Sequence, residues 1–432
     1  MKYKFLVLAL VPLFAVFLTA CSLQELPVVG KFFSPKEDTS PVTLNFWGMW
    51  EPSSVYEPVI ASYKEKKSYV SVNYENRALG GDIYDYKNRI FQGSQTGSAP
   101  DIYMVHNGWV PRFAALGLFS PAPDDIASKL NMSERYYKVA SDSGVVDGKV
   151  YAVPAYYDGL ALVYNKSHFK DVNQTSPPTT WEEFRVLALK LTVRGEDDVL
   201  LRSGAAVGGA NNIDHFSDVL GLLWAQANVK IPEDIDSERA VDALAFYTSF
   251  YTEDKIWNDD MPESITSFVR GQTSMLLVPS WQVLNILNEV PNASDVGVAP
   301  APQVPRAAQQ ANWGTFWMYA VPANSPHKDL AWDFLLHLSD PAQAKAIYSN
   351  QSKIRKFGAP YAHIELAKDL SANPYVTPYL AGAPTAKSAE IAGRSGNRNQ
   401  VAALQGVIND IINDVATPEE ALAKAKNTLL GR

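Results

Sequence analysis

Tryptophans that fall at the ends of strand-like runs are the residues of this chain best suited to hold another molecule. Trp47 and Trp50 follow the first such run, Trp109 follows a later one, Trp281 stands in Val278-Pro279-Ser280-Trp281, and Trp313 precedes Gly314. A sugar ring presents an apolar C–H face that an indole plate can cover and a rim of hydroxyls that carboxylates and amides can bond. Sites of this kind are concave and carry a few fixed polar groups. The chain has 10 Trp, 21 Tyr and 18 Phe, so most rings must be core and only those at loops are open to a binding role. Support for reactive chemistry is thinner. The histidines at 106, 168, 215, 327, 337 and 363 are scattered, there is no H-E-x-x-H, and one cysteine cannot make a pair, which argues against zinc. No P-loop is present, Gly204, Gly208 and Gly209 do not match the dinucleotide fingerprint, and no G-x-S-x-G occurs. A pair of carboxylates for glycoside hydrolysis stays open, because 46 acidic side chains always offer some pair at a workable distance. Binding is favoured over catalysis, with no cofactor and no metal expected.

The elements that must position these rings belong to a globular chain. Its 432 residues are 47% apolar and 19% charged, with a net charge of −8, which excludes disordered, collagenous and coiled-coil classes. Length predicts two or three domains. The acidic balance, without a Lys/Arg block, argues against nucleic acid as a partner. Lys2 and Lys4 precede an apolar run from Phe5 to Leu18, the form of a signal peptide over residues 1–20. The run is too short to span a bilayer, which takes about 20 apolar residues. It ends in Leu18-Thr19-Ala20-Cys21, which resembles the bacterial lipobox, so Cys21 is expected to carry a lipid and become the mature first residue. Residues 21–41, with Pro27, Pro35 and Pro41, read as a spacer between lipid and fold.

From Pro41 onward, β-branched and aromatic runs alternate with helical patterns, the form of an α/β sheet with crossover helices. Strands are expected at Thr43 to Trp47, Val70 to Asn76 and Ile102 to Val105, with a helix across Val55, Val59, Ile60 and Tyr63 and a Gly80-Gly81 loop before the next. His106-Asn107-Gly108-Trp109 then lies at the carboxyl end of a strand, where open α/β sheets place ligands. Thr180-Trp181-Glu182-Glu183 and Thr417-Pro418-Glu419-Glu420 have the form of capping boxes, and Ser339-Asp340-Pro341 opens another helix.

The order of the lipobox, T-L-N-F-W-G-M-W, A-P-D-I-Y-M-V-H-N-G-W, D-G-K-V-Y-A-V-P-A-Y-Y-D-G-L-A-L-V-Y-N-K, P-T-T-W-E-E-F, G-Q-T-S-M-L-L-V-P-S-W and H-K-D-L-A-W-D-F-L resembles family 1 extracellular solute-binding proteins of ABC importers, the group of maltose-binding proteins. The resemblance runs from about Pro41 to Leu430. It implies an α/β, two-lobed periplasmic-binding-protein-like fold of type II, each lobe a mixed sheet flanked by helices, with the ligand cleft between lobes. It implies one lobe from residues 42–154 plus 319–375 and another from 155–318 plus 376–432. Crossings are expected at Tyr151 to Gly159, near Gly314 to Tyr319 and around Asn373 to Pro384. The site it implies comprises Trp47, Glu51 and Trp109 from the first lobe, Tyr156 and Asp158 from the crossing, Trp281 and Trp313 from the second lobe, and Arg394 from the last segment. Trp109→Ala and Trp281→Ala are expected to weaken binding without unfolding the protein. The implied function is a monomeric receptor, lipid-anchored at the outer membrane face, that passes a carbohydrate to an ABC permease. The same fold could take a polyamine, ferric ion or glycerol phosphate instead, and a surface glycosidase is the rival from another class.

Overall fold

A computed structural model describes residues 39–78, 82–305, 310–391 and 396–430. The chain falls into two units, residues 1–42 and 43–432. Of the first unit only residues 39–42 are described, so the signal segment, Cys21 and nearly all of the spacer lie outside the described residues, as does the Gly80-Gly81 loop. No helix among the described residues is long and apolar enough to cross a membrane.

The strands that position the site are β1 (Val42–Gly48), β2 (Val70–Asn76), β3 (Ile102–His106), β4 (Ala152–Pro154), β5 (Ala161–Asn165), β6 (Met275–Val278), β7 (Val296–Pro300), β8 (Asn312–Trp313), β9 (Trp317–Ala320) and β10 (Ala386–Lys387). A five-stranded sheet has the order β2-β1-β3-β9-β4. Within it β1 and β3 are parallel, Phe46 facing Ile102, and β9 runs antiparallel to both β3 and β4. Every residue of β3 is buried, as befits a central strand covered on both faces. A three-stranded sheet, β6-β5-β7, is antiparallel throughout. β8 and β10 form a separate parallel pair. These two larger sheets are the centres of two α/β lobes. Trp317 and Met318, which a boundary at 318/319 leaves in the second lobe, belong to the first sheet.

The helices that frame these sheets include α1 (Ser53–Lys66), α2 (Ile83–Thr96), α3 (Trp181–Leu191), α4 (Phe216–Gln226), α5 (Glu238–Thr252), α6 (Ser280–Glu289), α7 (Lys328–Leu338), α8 (Pro341–Ile354), α9 (Thr377–Gly382), α10 (Arg398–Ile412) and α11 (Pro418–Leu429), among other shorter ones. Both capping boxes are formed: Thr180 and Glu183 open α3, and Thr417 and Glu420 open α11. Asp340 caps α8 by accepting the Ala342 N–H. Such caps contribute about 1 kcal/mol each. The Asn373–Pro384 stretch, read as a crossing linker, instead contains α9, which is tied to the second sheet by a Tyr379 hydroxyl bond to the Val278 carbonyl. The proline at 378 is compatible because it sits where a helix has no N–H to lose.

Candidate functional site

Three chain segments pass between the lobes and are hydrogen-bonded to one another. Leu160 donates to the Trp313 carbonyl at 3.2 Å, Thr315 to the Asp158 carbonyl at 3.0 Å, and Gly314 to the Lys387 carbonyl at 2.8 Å. The third segment, Ala386–Lys387, follows α9 and runs beside β8 where the lobes meet. Gly159 is required here, since a Cβ would come within 2.2 Å of the Trp313 carbonyl oxygen. Asn107, after β3, ties the segments together. Its Nδ2 donates to Ser388 Oγ at 2.8 Å, its Oδ1 accepts the Phe316 N–H, and its own N–H reaches the Phe316 carbonyl.

On the first lobe, parallel pairing puts the carboxyl ends of β1 and β3 at one edge of the sheet, and antiparallel β9 begins there, Trp317 opposite His106. Trp50 is 46% exposed and stands edge-on to Trp317, ring centroids 6.1 Å apart. Trp317, only 8% exposed, packs in turn against Trp109 at 5.4 Å and His106 at 5.6 Å. His106 Nδ1 accepts the Gly108 N–H, so Nε2 carries the proton and donates to Thr315 Oγ1 at 3.0 Å. Burial lowers its pKa to about 3, which keeps the ring neutral. The structure departs from the expectations for two first-lobe rings. Trp109 has no exposed surface and lies beneath Trp317, with the Lys87 ammonium 5.5 Å from its ring, so it is a support and not a plate. Trp47 is half-buried within β1, its ring covered by the Arg77 guanidinium at 4.2 Å. Glu51 is buried too. Its Oε1 accepts from Gln351 Nε2 at 2.8 Å and pairs with Arg355 at 2.9 Å, while Oε2 has no partner. Burial raises its carboxyl pKa against the lowering pull of Arg355.

On the second lobe, Trp281 follows β6 at the start of α6 and is 45% exposed. Asp158 lies beside it but is turned to the helix: Oδ1 accepts the N–H groups of Ser280 and Gly159 at 2.9 and 2.8 Å, and Oδ2 accepts the Ser280 hydroxyl at 2.8 Å. Pro279, at the N-cap position, supplies no side-chain bond, so the crossing segment caps α6 from outside. Asp158 is thus spoken for, and burial raises its pKa to about 6 even though those bonds favour the charged form. Trp313 is buried against α4 at Gly221, where a Cβ would stand 2.6 Å from the ring, and its Nε1 donates to Asp218 at 2.9 Å. It is a packed anchor of the crossing and not an open plate.

Tyr156, half-buried in the crossing, lines a cavity of about 20 Å³ with Tyr319, Gln351, Pro360 and Tyr361, room for a water but not a sugar. Burial pushes its hydroxyl pKa upward, with the charges of Asp158 and Glu51 adding to it. The same holds for Tyr157, where burial and Asp158 both oppose the tyrosinate that ferric ion would need. An open depression of about 460 Å³ is lined by Gln310, Pro384, Thr385 and Lys387, none of them aromatic. Arg394 lies outside the described residues. Trp50, backed by the buried Trp317, is the exposed ring at this edge of the first lobe. Trp317 was not anticipated, because in sequence it reads as an ordinary strand residue, and only antiparallel pairing to β3 brings it to the ligand edge. Trp50 has a loop signal in its neighbours Glu51-Pro52.

Comparison with known proteins agrees with this architecture. A family model for bacterial extracellular solute-binding proteins matches residues 50–345. The chain is similar to the maltotriose-binding protein of Pyrococcus abyssi, 20% identical over 383 residues, 85% of this chain and 77% of that one. It is 23% identical over 318 residues to the maltooligosaccharide ABC transporter solute-binding lipoprotein of Streptococcus pneumoniae, 70% of this chain and 69% of the other. Among solved structures, the sugar-binding protein MalE of Xanthomonas citri superposes with a TM-score of 0.74 at 18% identity, over 90% of this chain and 98% of that one. With two lobes, three bonded crossings and a family match over most of its length, the chain belongs to the bacterial extracellular solute-binding proteins.

Proposed function

We propose that this chain is the solute receptor of an ABC import system and that its solute is a carbohydrate, an oligosaccharide in particular. The observation that carries the reading is a pair of half-exposed indoles, Trp50 on the first lobe and Trp281 on the second. Each is backed by a second tryptophan: Trp50 packs on Trp317, and Trp281 connects through His215 and Asp218 to Trp313. Two such plates stack on the apolar faces of sugar rings, and the named sugars of the relatives support the same class. A sugar gripped by both plates favours the closed arrangement of the lobes, and closure is a hinge motion absorbed by the three crossings. No covalent step is involved. We take the first lobe as residues 42–154 with 317–375 and the second as 155–316 with 376–432, and the receptor as a monomer tethered by a lipid on Cys21 at the outer membrane face.

The test is a thermal-shift and calorimetry panel on the full chain with maltotriose, diacetylchitobiose, mannobiose, spermidine and ferric citrate. A sugar at 100 times its dissociation constant stabilises by about 2.7 kcal/mol. A shift with spermidine or ferric citrate and none with sugars would overturn the carbohydrate reading. The tether is tested by detergent-phase partition of cell extracts: Cys21→Ala moves the protein to the aqueous phase, and unchanged partition removes the lipid.

A further inference from the structure

His215 opens α4 and is 4% exposed, at the foot of Trp281, with ring centroids 5.7 Å apart in an edge-on arrangement. Its Nδ1 is 3.1 Å from Asp218 Oδ2, and the other oxygen of Asp218 accepts the Trp313 Nε1–H at 2.9 Å. Asp218 is wholly buried and a carboxylate only accepts, so Nδ1 carries a proton, and in the neutral ring Nε2 is left as a lone-pair acceptor. That Nε2 is buried and has no hydrogen-bond partner, the only buried histidine nitrogen so placed among the described residues. A carboxylate and an indole have been committed to fixing this tautomer, yet the acceptor it produces is left unused, which is unfavourable unless something else fills it.

We infer that His215 Nε2 is a ligand contact, accepting a hydrogen bond from a hydroxyl of the solute ring that stacks on Trp281, with Asp218 as the residue that positions it. This rests on the carbohydrate reading above. A sugar whose apolar face lies on Trp281 carries its hydroxyls at the ring edge, and contact with the buried Nε2 requires the half-exposed indole to change rotamer. The arrangement selects a hydroxyl donor at that ring position. A deoxy or O-methylated ring at that position cannot donate and is discriminated against. The Trp313 end of the chain of bonds lies on a crossing segment, so the contact is also tied to the hinge.

The experiment uses the full chain with maltotriose as probe. His215→Asn keeps an N–H that can reach Asp218 but lacks the Nε2 position, and it is expected to bind about tenfold more weakly with an unchanged melting temperature. His215→Gln, which restores an acceptor near Nε2, recovers part of the loss. Nitrogen-15 spectra of the free wild-type ring are expected to show a protonated Nδ1 and a bare Nε2, and the Nε2 resonance moves when maltotriose is added. In Asp218→Asn the new amide donates to Nδ1, so the proton moves to Nε2 and affinity falls. Unchanged affinity in His215→Asn, or a wild-type ring protonated at Nε2, overturns the proposal. Absence of heat from wild-type protein with maltotriose, diacetylchitobiose and mannobiose instead overturns the carbohydrate reading. The two failures are distinct, because failure of the His215 contact alone leaves the wild-type heat intact.

Discussion

Replacing Asp158 with Asn tests whether this residue is a helix cap or a ligand contact. Its carboxyl pKa stands at about 6 in the folded chain against 3.8 unperturbed. At 1.36 kcal/mol per pH unit, that gap is worth about 3 kcal/mol between the two protonation states. The native state holds this proton more tightly than the unfolded state, so it binds more protons between about pH 4 and pH 6. Stability from this group is therefore complete below pH 3.8 and is lost as pH rises through about 6. Asn has the shape of the neutral acid and does not titrate. Its oxygen can still accept the Ser280 and Gly159 N–H groups, and its amide can donate to the Ser280 hydroxyl. Urea unfolding of wild type and Asp158→Asn, followed by tryptophan fluorescence across that range, isolates the residue because other titrations cancel in the difference. Between about pH 3.5 and pH 7 the wild type is expected to lose about 3 kcal/mol relative to the variant. Affinity for maltotriose should stay within about twofold, since no oxygen of Asp158 is free for a solute. A stability difference that does not move with pH, or a tenfold loss of affinity, would refute the reasoning.

Other variants sort plates from supports. Trp281→Ala removes a half-exposed ring, so stability changes by less than about 1 kcal/mol while sugar affinity falls at least about tenfold by calorimetry; full affinity would take the ring out of the site. Trp109→Ala and Trp313→Ala delete buried rings and are expected to destabilise by about 3–5 kcal/mol in urea titrations. A stability loss under about 1 kcal/mol for either would contradict its burial. Gly159→Ala pushes the first crossing off the Trp313 carbonyl, and hydrogen exchange at the Leu160 and Thr315 amides should rise; unchanged protection there would show that the crossing yields without strain.

The elements were more legible than the site. Thr180-x-x-Glu183 and Thr417-x-x-Glu420 could be read directly, because a capping box is complete within four residues and needs nothing from elsewhere in the chain. Strand β2 was expected where it occurs, for the same reason that its alternation is local. The tryptophans could not be sorted in that way. Trp47, Trp109 and Trp313 have the same loop-adjacent spacing as Trp50 and Trp281, and what separates them is a partner far along the chain. Arg77 covers one ring, Trp317 another, and Gly221 makes room for the third.

By itself the sequence determined the α/β alternation, the caps, the acidic surface and the order of motifs that marks the family, since each rests on composition or on contacts within a few residues. Only the tertiary structure decided what each polar group and ring is for. Asp158 was drawn away from any solute because the start of α6, some 120 positions later, arrives beside it with unpaired N–H groups. His215 gained an oriented acceptor because Asp218 and Trp313 meet it in space. Burial and pairing are properties of what packs against a residue, and that is set by the fold and not by the neighbours in the chain.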